Sequence, residues 1–309
     1  ITNNLSYSTP DYFTNSGFKN NMNLYFKNLN SVGKKDQSYG SSPSIKGMGL
    51  FEISSSLPLV KNNDLSKEIL IPKISFRANP VNDMIDYSSS SKVISADNVF
   101  AINRLGLSDT FEQGKSITLG LDYKFDKNSY IDEENEIKDK FLEIKLATVL
   151  RDSFEEKIPK KSTINQKSSN IFGSINNNLF ENINLKYDFS LDNNLKTFDS
   201  HSISSEVSIN NFVTEFGYIE ERNKLGTTHS LTNKTSYNFN ENNSFSFSTR
   251  RNKEISLTEY YDLSYEYKND CLTAAIKYNR TFYKDDDLVP SENLFLSVTL
   301  IPLTTYERK

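Results

Sequence analysis

Several residue types are scarce in this chain of 309 residues, which has no tryptophan, two histidines and one cysteine, Cys271. A single cysteine cannot form a disulfide within these residues, so its thiol is either incidental or half of a bridge to something outside them. No segment approaches the roughly 18 consecutive apolar residues of a membrane-spanning helix, which excludes a helical membrane protein. The net charge is −4 and the basic residues are scattered, so the sequence offers no face for nucleic acid.

Catalytic motifs are missing as well. The histidines, His201 and His229, are isolated in the sequence, and neither a nucleophile elbow nor a glycine-rich phosphate loop is present. We therefore expect that the protein is not an enzyme, and we expect no cofactor and no metal site. There is no internal repeat and no Pro/Gly-rich linker, which predicts a single domain.

What the chain does contain is a regular alternation of apolar and polar residues. Near the C-terminus, Leu263, Tyr265 and Tyr267 share one parity, and Ser264 and Glu266 share the other. This period of two indicates a β-strand between two different environments. Such runs last about 9 to 13 residues, which is enough to cross a bilayer when tilted, whereas strands of soluble sheets have about five or six. The mean hydropathy of −0.58 still fits a membrane barrel, because only alternate strand residues face lipid.

About fifteen strands can be placed in this way, and tight turns alternate with longer links between them. The tight turns fall near Glu181, Asn211, Asn242 and Asn269. This asymmetry predicts an all-β fold, an antiparallel transmembrane β-barrel of the outer-membrane type with short periplasmic turns and longer extracellular loops. The predicted strands are residues 1–8, 17–30, 46–58, 69–79, 115–126, 138–151, 170–178, 182–192, 198–210, 212–222, 227–239, 243–252, 257–268, 271–284 and 293–301.

The same asymmetry predicts an orientation. Cys271 and the C-terminus are expected in the periplasm, and the loops 31–45, 80–114 and 152–169 are expected outside. The loop 80–114 is far longer than an ordinary connection. It is predicted to fold over the mouth of the barrel or to enter its lumen.

Two segments resemble a known family. The string Asp270-Cys271-Leu272-Thr273-Ala274-Ala275-Ile276-Lys277-Tyr278-Asn279-Arg280-Thr281-Phe282-Tyr283, followed by Asp285-Asp286-Asp287-Leu288 and Glu292-Asn293-Leu294-Phe295-Leu296, resembles the end of the LptD family of LPS-assembly proteins. The segment Asp97-Asn98-Val99-Phe100, with Asn103-Arg104, Gly106, Asp109 and Glu112-Gln113-Gly114, resembles that family's long loop before a Gly-containing strand.

The resemblance implies a function and partners. The family inserts lipopolysaccharide into the outer leaflet of the Gram-negative outer membrane. Its expected partners are lipopolysaccharide, a plug lipoprotein of the LptE type, and a periplasmic LPS-bridge protein that binds through an N-terminal domain. Family barrels have more strands than the fifteen found here, so residues 1–309 are expected to be the C-terminal portion of a barrel domain. The alternative function is a general outer-membrane porin or a ligand-uptake receptor.

Candidate functional residues follow from strand parity and from the resemblance. Charged residues on the polar parity are candidates to line the lumen, where the family would receive its plug and guide the LPS head group. The alternative for each of them is the polar interior of any water-filled barrel. These candidates are Lys73, Arg77, Asp122, Lys124, Glu143, Lys145, Lys186, Asp188, Glu206, Glu215, Lys234 and Arg250.

Two further candidates lie near the C-terminus. The last predicted strand carries Leu294, Leu296, Val298 and Leu300 on one face, and the resemblance implies a lateral seam for LPS release beside it. For Cys271 the resemblance implies a disulfide to a cysteine of the periplasmic N-terminal domain. A buried inert thiol and a free reactive thiol are the alternatives.

Overall fold

Nearly all regular structure in this chain is β-strand. The computed structural model describes residues 1–35, 39–81, 84–127, 140–222, 225–282, 290–300 and 304–308. Within those ranges the one exception is a 3-10 turn at Lys160–Ser162. No helix in the described ranges is both long and apolar enough to span a membrane. The predicted all-β, antiparallel fold class is confirmed.

The strands agree closely with the sequence periodicity. All fifteen predicted strands are present, each within three residues of its predicted bounds. Three additional short strands, β2, β5 and β18, were not predicted. The strands are β1 (Thr2–Ser8), β2 (Tyr12–Phe13), β3 (Lys19–Ser31), β4 (Ser44–Ser56), β5 (Leu59–Asn63), β6 (Ser66–Asn79), β7 (Gly114–Lys127), β8 (Lys140–Arg151), β9 (Ile171–Phe180), β10 (Ile183–Leu191), β11 (Phe198–Ile209), β12 (Phe212–Glu221), β13 (His229–Asn240), β14 (Asn243–Asn252), β15 (Leu257–Lys268), β16 (Leu272–Thr281), β17 (Ser291–Leu300) and β18 (Thr304–Arg308).

Contacts divide the chain into two compact units, where the sequence predicted one domain. Unit 1 comprises Ile1–Asn176, Asp188–Ser200 and Arg222–Gly226. Unit 2 comprises Asn177–Tyr187, His201–Glu221 and Thr227–Lys309.

The sheet of unit 1 is built opposite to that of a soluble protein. Along β7 the apolar residues Ile117 and Leu119 are 39% and 40% exposed, whereas Thr118 between them is fully buried. The neighbouring strands continue the pattern, because Thr118 lies opposite Ser75 of β6 and Val149 of β8. The face of unit 1 that carries the charged and hydroxyl side chains, called here its polar face, is therefore the covered one.

Two loops cover that polar face. Residues 80–113, the docked loop, contribute Met84, Ile94 and Val99 to a buried cluster together with Val149 and Phe172 of the strands. The loop 152–170 adds Ile158 and Ile164 to the same cluster. A second cluster joins Ile85 of the docked loop to Leu29 and Met48. The long loop was predicted to cover a barrel mouth or to enter its lumen, and it lies against the polar face of its own strands.

Unit 2 repeats the alternation in a run of antiparallel hairpins. The strands β12 to β18 pair in chain order. One row across β13 to β17 is apolar and largely exposed: Tyr237, Phe245, Tyr265, Ile276 and Leu296. A row on the opposite face of these strands, continued onto β12, is hydrophilic: Glu215, Lys234, Ser248, Asp262, Asn279 and Asn293. The tight turns are present at 181–182, 210–211 and 241–242, as predicted.

The C-terminal strand differs from the prediction. The segment 293–301 was predicted to be the last strand, but β17 is followed by β18. The two strands pair antiparallel from Leu296 opposite Arg308 to Leu300 opposite Thr304. The prediction that β17 ends the sheet is therefore wrong, because part of its second edge is already hydrogen-bonded to β18.

Candidate functional site

The predicted lumen residues of β6, β7 and β8 come together on the polar face of unit 1. Lys73 Nζ lies 2.6 Å from Asp122 Oδ2. Lys145 Nζ lies 3.2 Å from Glu143 Oε2, and 2.9 Å from Asp97 Oδ1 of the docked loop. Lys124 completes the group, with its Nζ 2.7 Å from Asp126 Oδ1. Lys73 and Asp122 pair across neighbouring strands, whereas Lys124 and Lys145 pair with carboxylates of their own strands. Pairing of this kind is how charges half-removed from water are tolerated.

Arg77, another of the predicted lumen residues, contacts the docked loop. Its side chain is covered by the docked loop, and the residue is 2% exposed. The guanidinium donates to the backbone carbonyls of Ala101 at 2.7 Å and of Phe100 and Ile102 at 3.2 Å. It also donates to Glu52 Oε1 at 3.4 Å. Arg77 therefore anchors the docked loop on the polar face.

A second arginine network, formed by Arg104 and Arg151, lies at the C-terminal end of the docked loop. Arg104 Nε donates to Glu112 Oε2 at 2.7 Å, and its Nη1 donates to Thr118 Oγ1 at 2.9 Å. Arg151 of β8 donates to Glu112 and to the Gln113 carbonyl. Burial opposes the ionisation of Glu112, but the charges of Arg104 and Arg151 outweigh burial and lower the pKa of Glu112 to about 2. This carboxylate joins the loop to β7 and β8.

A glycine on β7 makes room for the docked loop. A Cβ added at Gly120 would lie 2.5 Å from Phe100 Cε2 and 3.3 Å from the Leu146 carbonyl oxygen. Lys73 Nζ lies 4.6 Å from the centre of the same Phe100 ring, within the range of a cation–π contact. Gly120 thus allows a loop aromatic to press onto the strand backbone.

An aspartate in the docked loop ties it to a neighbouring loop and strand. Asp109 accepts hydrogen bonds from the hydroxyls of Tyr39 and Tyr87, the latter at 2.8 Å. Burial and the bond to Asp109 raise the pKa of Tyr87 well above its usual range. Lys27 of β3 donates to the Ser108 carbonyl at 2.6 Å. These contacts hold the docked loop against β3 and against the loop that contains Tyr39.

The other candidates are distributed over both units. Asp188 belongs to unit 1, and Lys186, Glu206, Glu215, Lys234 and Arg250 belong to unit 2. Lys234 Nζ lies 3.3 Å from Glu215 Oε1, and Arg250 Nε lies 2.9 Å from Glu259 Oε2. Glu206 accepts from Ser208 Oγ at 3.4 Å. In unit 2 the polar face is a spread of paired charges and hydroxyls rather than one compact site.

Comparison with known proteins gives the family. A family model described as "LptD: LPS transport system D" matches residues 3–243, well over half of the chain. The chain belongs to the LptD family. No curated protein matches it. The match includes the LptD-like loop segment 97–114 and ends before the string 270–296.

Membership in the LptD family establishes the general function of the chain within the LPS transport system. LptD proteins are outer-membrane β-barrels that transport and assemble lipopolysaccharide, and this chain is one of them. Its antiparallel strands with an exposed apolar face agree with that class. Nothing in the comparison favours a general porin or receptor. The family is one of transport proteins, which agrees with the absence of catalytic motifs from the sequence.

One cluster on this LptD chain was missed from the sequence, where the two histidines looked isolated. In unit 2, His201 Nε2 lies 2.9 Å from Glu220 Oε2, and the Tyr218 hydroxyl lies 2.7 Å from that oxygen. Tyr218 also meets His229 Nε2 at 3.1 Å. Tyr218 shares its face of β12 with the exposed Phe216, so the cluster lies on the apolar side. No spacing in the sequence could reveal it, because the residues come from three strands.

Cys271 and the predicted seam residues can also be placed on the LptD fold. Cys271 is exposed, which contradicts the alternative of a buried inert thiol. Its backbone N–H donates to the Asn269 side chain at 3.0 Å, so it lies in a tight turn. Leu294, Leu296, Val298 and Leu300 share one face of β17, opposite Tyr278, Ile276, Ala274 and Leu272 of β16.

Proposed function

We propose that these strands form part of the wall along which lipopolysaccharide crosses the outer membrane. The saccharide would move against the polar faces, and the acyl chains would stay against the apolar faces. The single observation that carries this proposal is the reversed construction of the sheet. Apolar side chains such as Ile117 and Leu119 point to the exposed side, while hydroxyl and charged groups occupy the other.

The chemistry of the polar face in unit 2 suits a passing saccharide. Its rows contain small hydroxyl and amide side chains, such as Ser248 and Asn279, and the charges there pair with each other. Asp262 accepts from Ser248 at 3.3 Å and from Asn279. Such a surface offers many weak, exchangeable hydrogen bonds, which allow a large polar ligand to bind and to leave.

The proposal extends to partners and orientation. A plug lipoprotein of the LptE type would contact the polar faces, and a periplasmic LPS-bridge protein would deliver LPS through an N-terminal domain of the family's kind. Residues 1–309 would be the C-terminal portion of the barrel domain, with the short turns and the C-terminus in the periplasm. The exposure of Cys271 supports a disulfide to that N-terminal domain, and LPS would leave through a seam near β17.

Depletion of the protein from the cells that make it tests this function. We expect newly made LPS to stop reaching the cell surface and to accumulate inside, as measured by surface labelling of a pulse of new LPS. Uptake of small hydrophilic solutes, measured in the same cells, serves as the control for a porin. Unchanged surface LPS combined with lost solute uptake would contradict the proposal and favour the porin.

A further inference from the structure

A recess lies on the polar face of unit 1, beside the docked loop. It has a volume of 340 Å³ and opens between β3, β4 and β6. Small-ligand sites usually fall between about 300 and 1,000 Å³. The recess therefore has room for a ligand of one or two rings.

The charges around the recess are all paired. Lys19 Nζ lies 2.8 Å from Asp11 Oδ2, and Lys73 Nζ lies 2.6 Å from Asp122 Oδ2. Glu52 is held by Arg77 at 3.4 Å. An anionic ligand would find no free cation in this wall. The recess is suited to a neutral ligand.

Several neutral hydrogen-bonding groups in the wall lack partners. Asn23, Ser54 and Ser56 line the recess, and none of their side chains makes a hydrogen bond with the part of the chain that the structure describes. Glu52 Oε2 is buried and also lacks a donor among the described residues, although Oε1 accepts from Ser75 Oγ at 2.8 Å. A buried acceptor without a donor is costly, so such a group calls for an explanation.

These groups are adjacent to one another. Asn23 lies directly opposite Glu52, and Ser54 is the next residue along β4 on the same face. Together they offer an amide donor, amide and carboxylate acceptors, and hydroxyls that can do either. Phe100 and Ile102 of the docked loop form an apolar wall beside them. Hydroxyl groups in a ring with an apolar face are the features of a sugar.

We propose that this recess, the β3–β4 recess, is a binding subsite for a neutral sugar unit of the LPS saccharide. Glu52 and the Asn23 carbonyl accept hydrogen bonds from sugar hydroxyls, and Ser54 and the Asn23 amide donate to sugar oxygens. The ring's C–H groups pack on Phe100 and Ile102. This subsite rests on the proposed transport function and assigns one step of it to particular residues.

The experiment measures saccharide binding by the full-length protein in detergent. The probe is an LPS core oligosaccharide from which acyl chains and phosphates have been removed, detected by saturation-transfer NMR and titrated to a dissociation constant. We expect weak, saturable binding by the wild type. Ser54→Phe fills the recess and should weaken binding at least tenfold. Ile53→Phe, one residue away on the opposite face, is the matched control and should bind like the wild type.

A second variant keeps the test valid if Ser54→Phe does not fold. Asn23→Ala removes an amide without adding volume, and it should also weaken binding about tenfold. The subsite is overturned if the wild type does not bind the oligosaccharide, if both variants bind as the wild type does, or if only the phosphorylated oligosaccharide binds. The proposed function fails separately, if depletion leaves surface LPS unchanged.

Discussion

At position 120 the absence of a side chain decides how the docked loop can lie. A Cβ added at this position would lie 2.5 Å from Phe100 Cε2, so the Phe100 ring occupies the space that a side chain would need. At Gly49 on β4, in contrast, the nearest atom to an added Cβ is the Tyr25 carbonyl oxygen at 3.9 Å, an ordinary contact. Two glycines in strands of one unit thus have different roles.

The first prediction uses this contrast. Gly120→Ala should destabilise the docked loop by about 1–3 kcal/mol because it overpacks a close contact. Limited proteolysis within 80–113 should become faster, and the unfolding temperature in detergent should fall. Gly49→Ala should change neither. Since the clash is with Phe100, Gly120→Ala combined with Phe100→Ala should recover part of the loss. A Gly120→Ala protein as resistant to protease as the wild type would refute the close contact.

The second prediction concerns Glu112 and pH. Its pKa falls from the usual 4.5 to about 2 in the folded protein, which corresponds to about 3 kcal/mol of stability. Because the folded pKa is the lower one, this stability is fully present above pH 4.5 and is lost as the pH falls toward 2. Glu112→Gln should remove it at neutral pH and cost about 3–5 kcal/mol, since two buried arginines lose their counter-ion.

The measurement for Glu112 is a melting curve in detergent from pH 7 to pH 2. The wild type should keep its melting temperature to about pH 4.5 and lose stability below it, while Glu112→Gln should be less stable at neutral pH and flatter over the acid range. Parallel curves for the two proteins would show that Glu112 is not the group that titrates.

At the residue scale, the sequence predicted which face of a strand a side chain lies on, but not which residues that side chain contacts. Strand parity placed Lys73, Asp122 and Lys145 on one side, because alternation is set by the two environments of a strand. It could not show that Arg77 lies beneath the docked loop. Arg104 and Glu112 belong to the segment that resembles the family, but the bond between Glu112 and Arg151 depends on how the loop folds back. The contacts of His201 and His229 likewise depend on residues from three strands, which spacing in the sequence does not reveal.

At the scale of elements, the length and alternation of the strands explain why their bounds were predictable. Runs of ten or more residues give a strong periodic signal, and the turn residues between them reinforce it. The strands that were missed, β2, β5 and β18, have two to five residues, too few for alternation to be distinguished from chance. The links that join predicted strand 115–126 to 138–151, and 271–284 to 293–301, lie largely outside the described residues.

The third prediction tests the orientation of these elements. Ser89 lies in the docked loop and Asn242 in a tight turn, and both are exposed. A single thiol introduced at either position in a Cys271→Ser background reports on access. An impermeant maleimide should label Ser89→Cys in intact cells, but Asn242→Cys only after the outer membrane is permeabilised. Labelling of Asn242→Cys in intact cells would invert the orientation.

At the scale of the whole molecule, two units share one principle of construction. Each has an apolar face that is exposed and a polar face opposite. In unit 1, loops cover the polar face through the clusters around Val149 and Met48. The sequence predicted one domain because no composition change marks the division.

The fourth prediction concerns the connection of this molecule to the periplasm. In the full-length protein, Cys271 should form a disulfide with a cysteine of the N-terminal domain, because its thiol is exposed and the periplasm is oxidising. A bridge closing so long a loop stabilises by about 4 kcal/mol at most. Cys271→Ser should therefore reduce LPS delivery more than barrel folding. A non-reducing gel checks it, and an unchanged mobility together with full maleimide labelling of the wild type would refute the bridge.

The central claim is that LPS passes along the polar face, and site-specific photo-crosslinking in living cells tests it most directly. Ser248 and Phe247 are neighbours on β14 that face opposite sides, opposite Asp262 and Leu263 of β15. A photoreactive residue at 248 should give an LPS adduct that disappears when LPS synthesis is stopped. The same residue at 247 should give adducts with bilayer lipids that persist. The absence of any LPS adduct at 248 in cells that are exporting LPS would contradict the account.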